Sequence, residues 1–443
     1  MTLPREIRSA ADFGSLEAGQ TIRLGLERMR RLCEKLDHPE RAFRAVHVAG
    51  TNGKGSICAA IHAVLAGAGA EPGLYTSPHL VSPLERVRIG RRDWTETELV
   101  SSVNEALSAV HGDTALSAEP PTVFELVTAA AFLALARAGV KLAVIEVGLG
   151  GRLDSTTVCH PEVCVISSIG LDHQQYLGPD ILSIGREKAG IIREKAPVVT
   201  SAVQPEIQRL IHDTAMERLS PCYLGGRHFD YVSAGREGGS EARFDYLGIN
   251  TRWPDLPLPL PGAHQFQNMA AACAALELLA ARGVAGLAPE TVRSGLASVR
   301  WPGRLEHVST SPDLWLDGAH NPDAARVLAK FLETAAAGRR LHFIVGFRAD
   351  KQQREFLEII APLAHRITAT GAPGLMPADE AGRIAAAVHR NTVVEPELAK
   401  ILAQLHWRKD ATETAVVTGS LYLVGAAKAW LDLNMPGQRS PAA

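Results

Sequence analysis

The chain has 443 residues, 46% hydrophobic and 21% charged, with a formal net charge of −2. That length exceeds one ordinary core and predicts two domains, and the near-neutral balance excludes charge-driven binding of nucleic acid or an anionic membrane as the main role. The six cysteines include no C-x-x-C pair and no regular framework, so they read as buried thiols in a reducing, cytoplasmic setting.

The first ten residues carry Arg5, Glu6 and Arg8 and have no apolar centre, so they do not read as a signal peptide. Residues 13–36 read as helical, with Leu16, Leu24, Leu26, Met29, Leu32 and Leu36 as the apolar positions and an interruption near Thr21 and Gly25. The apolar run Ala45 to Ala49 predicts a buried parallel strand. It breaks into Gly50-Thr51-Asn52-Gly53-Lys54-Gly55-Ser56, and Ile57 to Leu65 resumes as an apolar helix. Strand, glycine loop and helix form a phosphate cradle: backbone N–H groups point inward and the helix N-terminus adds partial positive charge. Lys54 would reach the outer phosphates, and Ser56 could ligate magnesium. The spacing departs from G-x-x-x-x-G-K-[ST], because two residues separate Gly50 from Gly53 and Gly55 follows the lysine. A tight βα turn without ligand is the plainer alternative.

Further on, Tyr75-Thr76-Ser77-Pro78-His79-Leu80 leaves a short strand as an extended turn, since Ser-Pro disfavours helix. Its hydroxyls could bind ligand or only cap the turn. An alanine-rich helix is expected over Phe124–Ala138, too soon interrupted by Arg137 and Lys141 to span a bilayer. Lys141–Val147 and Glu162–Ile169 read as strands whose carboxyl ends carry Glu146 and Leu171-Asp172-His173. In doubly wound sheets those ends form the ligand crevice, so Glu146 and His173 would converge on the phosphate loop as metal ligands. Arg186 to Ile192 reads as a charged helix end, Pro197–Ser201 as a strand, and residues 225–255 as a small antiparallel excursion. A helix starts near Asn268. Trp301-Pro302-Gly303-Arg304 marks a boundary, giving domains 1–298 and 299–443. Past it, strands 314–316, 341–345, 366–370 and 415–418 alternate with helices 322–335, 353–363, 378–388 and 397–406 in a Rossmann-like unit lacking G-x-G-x-x-G. Asp317-Gly318-Ala319-His320-Asn321-Pro322 stands between its first strand and first helix and faces the crevice. The fold class is therefore α/β, a P-loop NTPase-like N-terminal domain plus a Rossmann-like C-terminal domain.

Taken together, the motifs from Ala49 to Ser56, Tyr75 to Leu80, Glu146 to Asp154, Leu171 to His173, Glu187 to Ile191, Pro302 to Arg304 and Asp317 to Pro322 resemble those of folylpolyglutamate synthase and dihydrofolate synthase, members of the Mur ligase superfamily. The resemblance runs over nearly the whole chain. It implies ATP-dependent ligation of L-glutamate to dihydropteroate, to the γ-carboxylate of reduced folates, or to both, through an acyl phosphate. It implies ATP contacts at Gly50 to Ser56, Asn268, Arg304, Asp317 and His320. Ser56, Ser77, Glu146 and His173 would hold magnesium, with potassium as a further candidate ion. Lys54, His173 and Lys188 would be catalytic, Lys188 as a carbamate. The pteroate or folate site would use Thr21, Ile22, Arg23, Leu24, Thr122, Val123, Phe124, Glu125, Leu153, Asp154 and Ser155. Arg23 stands where an acidic residue is common, and Thr157 where asparagine is usual. A cytoplasmic monomer acting on small molecules is the expectation. A polyglutamylating enzyme alone, a P-loop kinase or switch, a non-enzymatic nucleotide-binding module, and a ligase with a related substrate remain alternatives.

Overall fold

Strands buried on both faces need unbroken runs of small and β-branched residues, and the sequence supplies them in two places. The computed structural model describes residues 3–17, 22–234, 242–310, 312–405 and 412–435. Strands β1 (Arg44–Ala49), β2 (Gly73–Tyr75), β3 (Val87–Ile89), β4 (Arg92–Asp93), β5 (Leu142–Glu146), β6 (Pro161–Ile166), β7 (Val198–Thr200) and β8 (Cys222–Leu224) form one sheet, ordered β4-β3-β2-β5-β1-β6-β7-β8. It is parallel apart from the β2-β3 and β3-β4 pairs. Val46 and Val48 face the helices Lys54–Gly67, His264–Ala281 and Pro289–Ala297. The other face is covered by Glu27–Lys35, Glu96–His111 and Val123–Arg137. The central strand β1 carries the phosphate loop at its carboxyl end, between β5 and β6, where the direction of strand addition reverses.

The excursion expected around residues 225–255 is an antiparallel sheet of β9 (Asp230–Ala234), β10 (Arg243–Leu247) and β11 (Arg252–Pro257). Its tether is Glu277, a buried carboxylate that accepts from Tyr246 Oη at 2.9 Å and from the Ile249 and Asn250 amides at 2.9 and 2.6 Å. The second domain is a sheet ordered β12-β13-β17-β14-β15-β16, from β12 (Glu306–Thr310), β13 (Asp313–Leu316), β14 (Arg340–Val345), β15 (Ala364–Gly371), β16 (Thr392–Glu397) and β17 (Glu413–Thr418). Helices Pro322–Ala335, Gln353–Ile360 and Ala378–Ala386 cover one face; Leu398–Gln404 and Leu421–Asn434 cover the other. No helix among the described residues is long and apolar enough to cross a membrane.

The interruption expected near Gly25 separates two helices, Ala10–Glu17 and Glu27–Lys35, and Gly25 between them has φ 144°, outside helix. Two boundaries differ from expectation. The helix expected from Asn268 begins at His264, so Asn268 lies inside it and donates to Gln265 Oε1 at 2.9 Å. The charged segment 186–190 ends a longer helix, Ile181–Ala189, whose first turn is capped by Asp180 accepting from Ser183 N.

Candidate active site

The phosphate loop is shaped by its glycines and by the end of β6. Gly53, at φ 87°, caps the helix Lys54–Gly67 in the left-handed region that glycine adopts without strain. Gly55 has no room for a side chain, since a Cβ there would meet the Trp301 indole at 2.7 Å; that accounts for the departure from the usual lysine-serine spacing. The Thr51 amide donates to Ser168 O at 2.7 Å, and the Ser167 hydroxyl donates to Asn52 O at 2.7 Å. Lys54 Nζ folds back to the carbonyls of Gly50 and Thr51 at 3.1 and 3.2 Å. Buried Ser56 accepts from Gln265 Nε2 at 3.4 Å.

Around this loop lies a cavity of about 420 Å³. Its walls include every residue from Gly50 to Ser56, then Ser77, Glu146, His173, Lys188, Asn268, Arg304, Asp317 and His320. All the positions expected to hold ATP or metal thus face one space between the two domains. Asp317 is held by the amides of Leu305 and Ala319 at 2.8 and 3.0 Å, and burial raises its carboxyl pKa. Lys188 Nζ donates to Gly50 O at 2.8 Å. Burial, then the nearby Lys54 charge, pull its ammonium down to about 7.

Glu146 is buried, accepts from Ser77 N at 3.2 Å, and has its pKa raised chiefly by desolvation. The Ser77 hydroxyl is buried without a hydrogen-bond partner. An oxygen-rich pair of this kind suits a hard cation such as magnesium. His173 lines the same cavity as that pair, and its Nδ1 is buried without a hydrogen-bond partner. Lys351 Nζ lies 3.1 Å from Nε2, and Asp350 Oδ2 lies 3.5 Å from Nδ1. No three His, Cys, Asp or Glu side chains cluster as a metal-binding group among the described residues.

A second cavity, about 230 Å³, opens beside the first and shares Ser77, Gly148, His173 and His320 with it. Ile22, Arg23, Leu24, Thr122, Phe124, Leu153, Asp154 and Ser155 line it. Two expected contacts lie elsewhere. Val123 is buried in the helical core, and Glu125 closes a capping box with Thr122 and pairs with Arg28 at 3.1 Å. Helix periodicity turns both away from the wall that Thr122 and Phe124 form. Thr21 lies outside the described residues.

Several lining residues carried no expectation from sequence: Arg86 from the first domain, and Arg348, Lys351, Ser420 and Tyr422 from the second. Arg348 and Lys351 follow β14, and Ser420 and Tyr422 follow β17, so the carboxyl-end rule applied to the second sheet would have found them. Asp172 was read only as part of a motif. It accepts from Lys351 at 2.7 Å and from Asn321 at 3.2 Å, with His320 Nε2 3.4 Å away, and these partners hold its carboxyl well below the usual range.

Comparison with known proteins gives matches over most of the chain. The family model "Mur ligase middle domain" matches residues 93–276, and "Dihydrofolate synthetase, C-terminal domain" matches 304–430. The dihydrofolate synthase/folylpolyglutamate synthase of Bacillus subtilis is 34% identical over 93% of this chain and 95% of its own. Folylpolyglutamate synthase of Mycobacterium tuberculosis, solved with ADP, superposes with TM-score 0.86 at 30% identity, covering 95% of this chain and 97% of that one. E. coli FolC with DHPP and ADP gives TM-score 0.84 at 31% identity, covering 97% and 99%.

Proposed function

The chain belongs to the dihydrofolate synthase/folylpolyglutamate synthase family of ATP-dependent ligases, and we propose that it joins L-glutamate to dihydropteroate, to the γ-carboxylate of a reduced folate, or to both. The observation that carries this reading is the meeting of two cavities at Ser77, Gly148, His173 and His320. ATP phosphates in the larger cavity would there meet the carboxylate of an acceptor seated in the smaller one. A kinase or switch, open on the sequence alone, does not fit family membership.

In this reading Lys54 and the helix N-terminus behind it stabilise negative charge as the γ-phosphoryl group moves to the acceptor carboxylate. Bound magnesium would spread charge over the phosphate oxygens, and Ser56, Ser77, Glu146 and His173 are the residues that would hold it. Arg348 and Lys351, cationic groups of the second domain on the smaller cavity, suit the carboxylates of the incoming glutamate. Its amine nitrogen bonds to the acyl carbon, the C–O bond to phosphate breaks with the electron pair leaving on phosphate, and the surplus amine proton passes to solvent. Closure of domains 1–298 and 299–443 over the site keeps water from the acyl phosphate. Lys188, buried with a depressed pKa, suits addition of carbon dioxide to its neutral amine with loss of one proton. Six free cysteines support a reducing compartment, so we place the protein in the cytoplasm, acting as a monomer.

The test is ADP release by the purified protein with L-glutamate and either 7,8-dihydropteroate or tetrahydrofolate, repeated with magnesium withheld and with potassium exchanged for sodium. Turnover with both acceptors supports two synthase activities. Turnover with tetrahydrofolate alone supports polyglutamylation only, and would give a meaning to Arg23 and Thr157, which stand where an acidic residue and an asparagine are expected. No glutamate-dependent ADP release with either acceptor overturns the proposed substrates.

A further inference from the structure

A buried line of hydrogen bonds runs from the middle of β1 to the wall of the smaller cavity. His47 is 1% exposed, and its Nε2 lies 2.9 Å from Thr156 Oγ1. That hydroxyl lies 2.5 Å from Asp154 Oδ1, the same oxygen that accepts from Thr156 N at 3.0 Å. The other oxygen, Oδ2, accepts from Leu149 N at 2.8 Å. Thr156 gives its single hydroxyl proton to Asp154 Oδ1 and therefore accepts from His47 Nε2–H; burial raises the Asp154 carboxyl pKa, and the groups that donate to it oppose that rise. Burial keeps the His47 imidazole neutral, with its pKa pushed down to about 3, and the hydrogen bond fixes one tautomer.

Nothing in the strand itself requires a histidine here. The backbone of His47 is in register with Ile145 on one side and Cys164 on the other. Ala45 and Ala49, which share its face of the sheet, are plain apolar residues. Burying an imidazole among them is costly unless it is hydrogen-bonded. The bond goes to the one hydroxyl that orients Asp154, and Asp154 lines the acceptor cavity.

We propose that His47 is a positioning residue for the acceptor site: through Thr156 it fixes the direction in which Asp154 stands at the wall of the smaller cavity. The Leu149 amide, the Thr156 amide and the Thr156 hydroxyl hold the carboxyl group, with the Gly148 amide as a fourth donor, so these groups set its direction at the cavity wall. This rests on reading the smaller cavity as the pterin site.

The test is steady-state kinetics of the full chain with 7,8-dihydropteroate and with tetrahydrofolate, comparing Asp154→Asn, Thr156→Val, Thr156→Ser and His47→Phe. Expected for Thr156→Val and His47→Phe is a rise of about tenfold in KM for the pterin acceptor, the size of one lost hydrogen bond to a charged group. KM for ATP should stay within about twofold, because backbone pairing alone holds the strand beneath the phosphate loop, and Thr156→Ser should keep the wild-type acceptor KM. Asp154→Asn separates the two readings. If it raises acceptor KM while Thr156→Val does not, the positioning role is overturned and the cavity assignment stands. If Asp154→Asn leaves acceptor KM unchanged, the cavity assignment fails and the positioning role with it. An equal rise in KM for acceptor and ATP in Thr156→Val would mean general loosening and also overturns the proposal. The threonine pair decides the matter even if His47→Phe does not fold.

Discussion

Lys54 and Lys188 both donate to the Gly50 carbonyl, at 3.1 and 2.8 Å. Burial first, and then repulsion between two ammonium groups so placed, bring the Lys188 pKa down to about 7. Lys54 stands on the phosphate loop, where the transferring phosphoryl group brings negative charge. Lys54→Ala should therefore lower kcat by at least about 10²–10³-fold, with little change in melting temperature; near-normal turnover would remove Lys54 from the catalytic set. A different residue reports on the protein's response to acid. His62 is buried, its Nε2 has no hydrogen-bond partner, and its pKa is pushed down to about 4, chiefly by burial. The unfolded chain binds a proton at His62 below about pH 6.5 while the folded chain does not, so this group erodes stability as pH falls from about 6.5 toward 4. His62→Leu should abolish that contribution. Between pH 7.5 and pH 5 the variant should lose about 2 kcal/mol less stability than wild type in urea unfolding. Parallel curves would place the His62 pKa near its ordinary value.

Among the elements, the helix Val123–Arg137 does two jobs at its first turn. Thr122 accepts from the Glu125 amide, and Glu125 reaches back to the Thr122 amide at 2.7 Å. The same carboxylate takes Arg28, whose Nη2 donates to the Arg23 carbonyl at 3.0 Å and so ties down the loop 22–25. Glu125→Ala removes the carboxylate half of the capping box, with Thr122 still capping the helix, and leaves the largely buried Arg28 guanidinium without its carboxylate partner. The expected loss is about 2–4 kcal/mol of unfolding free energy. Acceptor KM should rise as well, since Arg23 and its neighbours line the cavity; a stable variant with unchanged KM would show that the loop holds without the clamp. The sequence placed Glu125 in the acceptor site through resemblance. Its periodicity alone, with Val123, Leu126 and Val127 apolar around it, already turned it inward. The long apolar strands β1, β5 and β6 were legible because they are covered on both faces. β12 and β16 were not, because edge strands need no apolar run; β16 is mostly exposed. The site was legible where a motif sits at a strand end of the first sheet; Arg348, Ser420 and Tyr422 lie at strand ends of the second sheet, where the same rule points but no motif marked them.

At the scale of the whole molecule, the two domains meet where Leu80 packs against the second domain's core and where polar side chains cluster around Asp172. Asn52 and Asn321 exchange hydrogen bonds at 3.1 and 3.3 Å, Asn321 also donates to Asp172, and Lys351 reaches both Asp172 and His173. Gln352 donates to Gln174 Oε1 at 3.3 Å beside them. The phosphate loop, the end of β6 and two loops of the second sheet are thus fastened together around Asp172. Lys351 is the strongest link, because its side chain is 5% exposed and its partner carboxylate 9%; at that burial a broken pair leaves a charge uncompensated. His320 and Asn321 still face Asp172 when Lys351 is gone, so the carboxylate is weakened in its partners rather than stripped of them. Both of these belong to the second domain too, and each is a weaker link than an ammonium. Lys351→Ala should therefore shift the molecule toward domain opening without unfolding either sheet, each of which has its own apolar core. Small-angle scattering should show a larger radius of gyration for the variant than for wild type. Turnover should fall while the helical circular dichroism signal stays constant, and water reaching an exposed acyl phosphate should raise the ratio of ADP released to glutamate incorporated above one. An unchanged scattering profile together with tight coupling of ADP to product would mean that the Leu80 packing, the asparagine pair and the glutamine pair suffice to hold the domains closed.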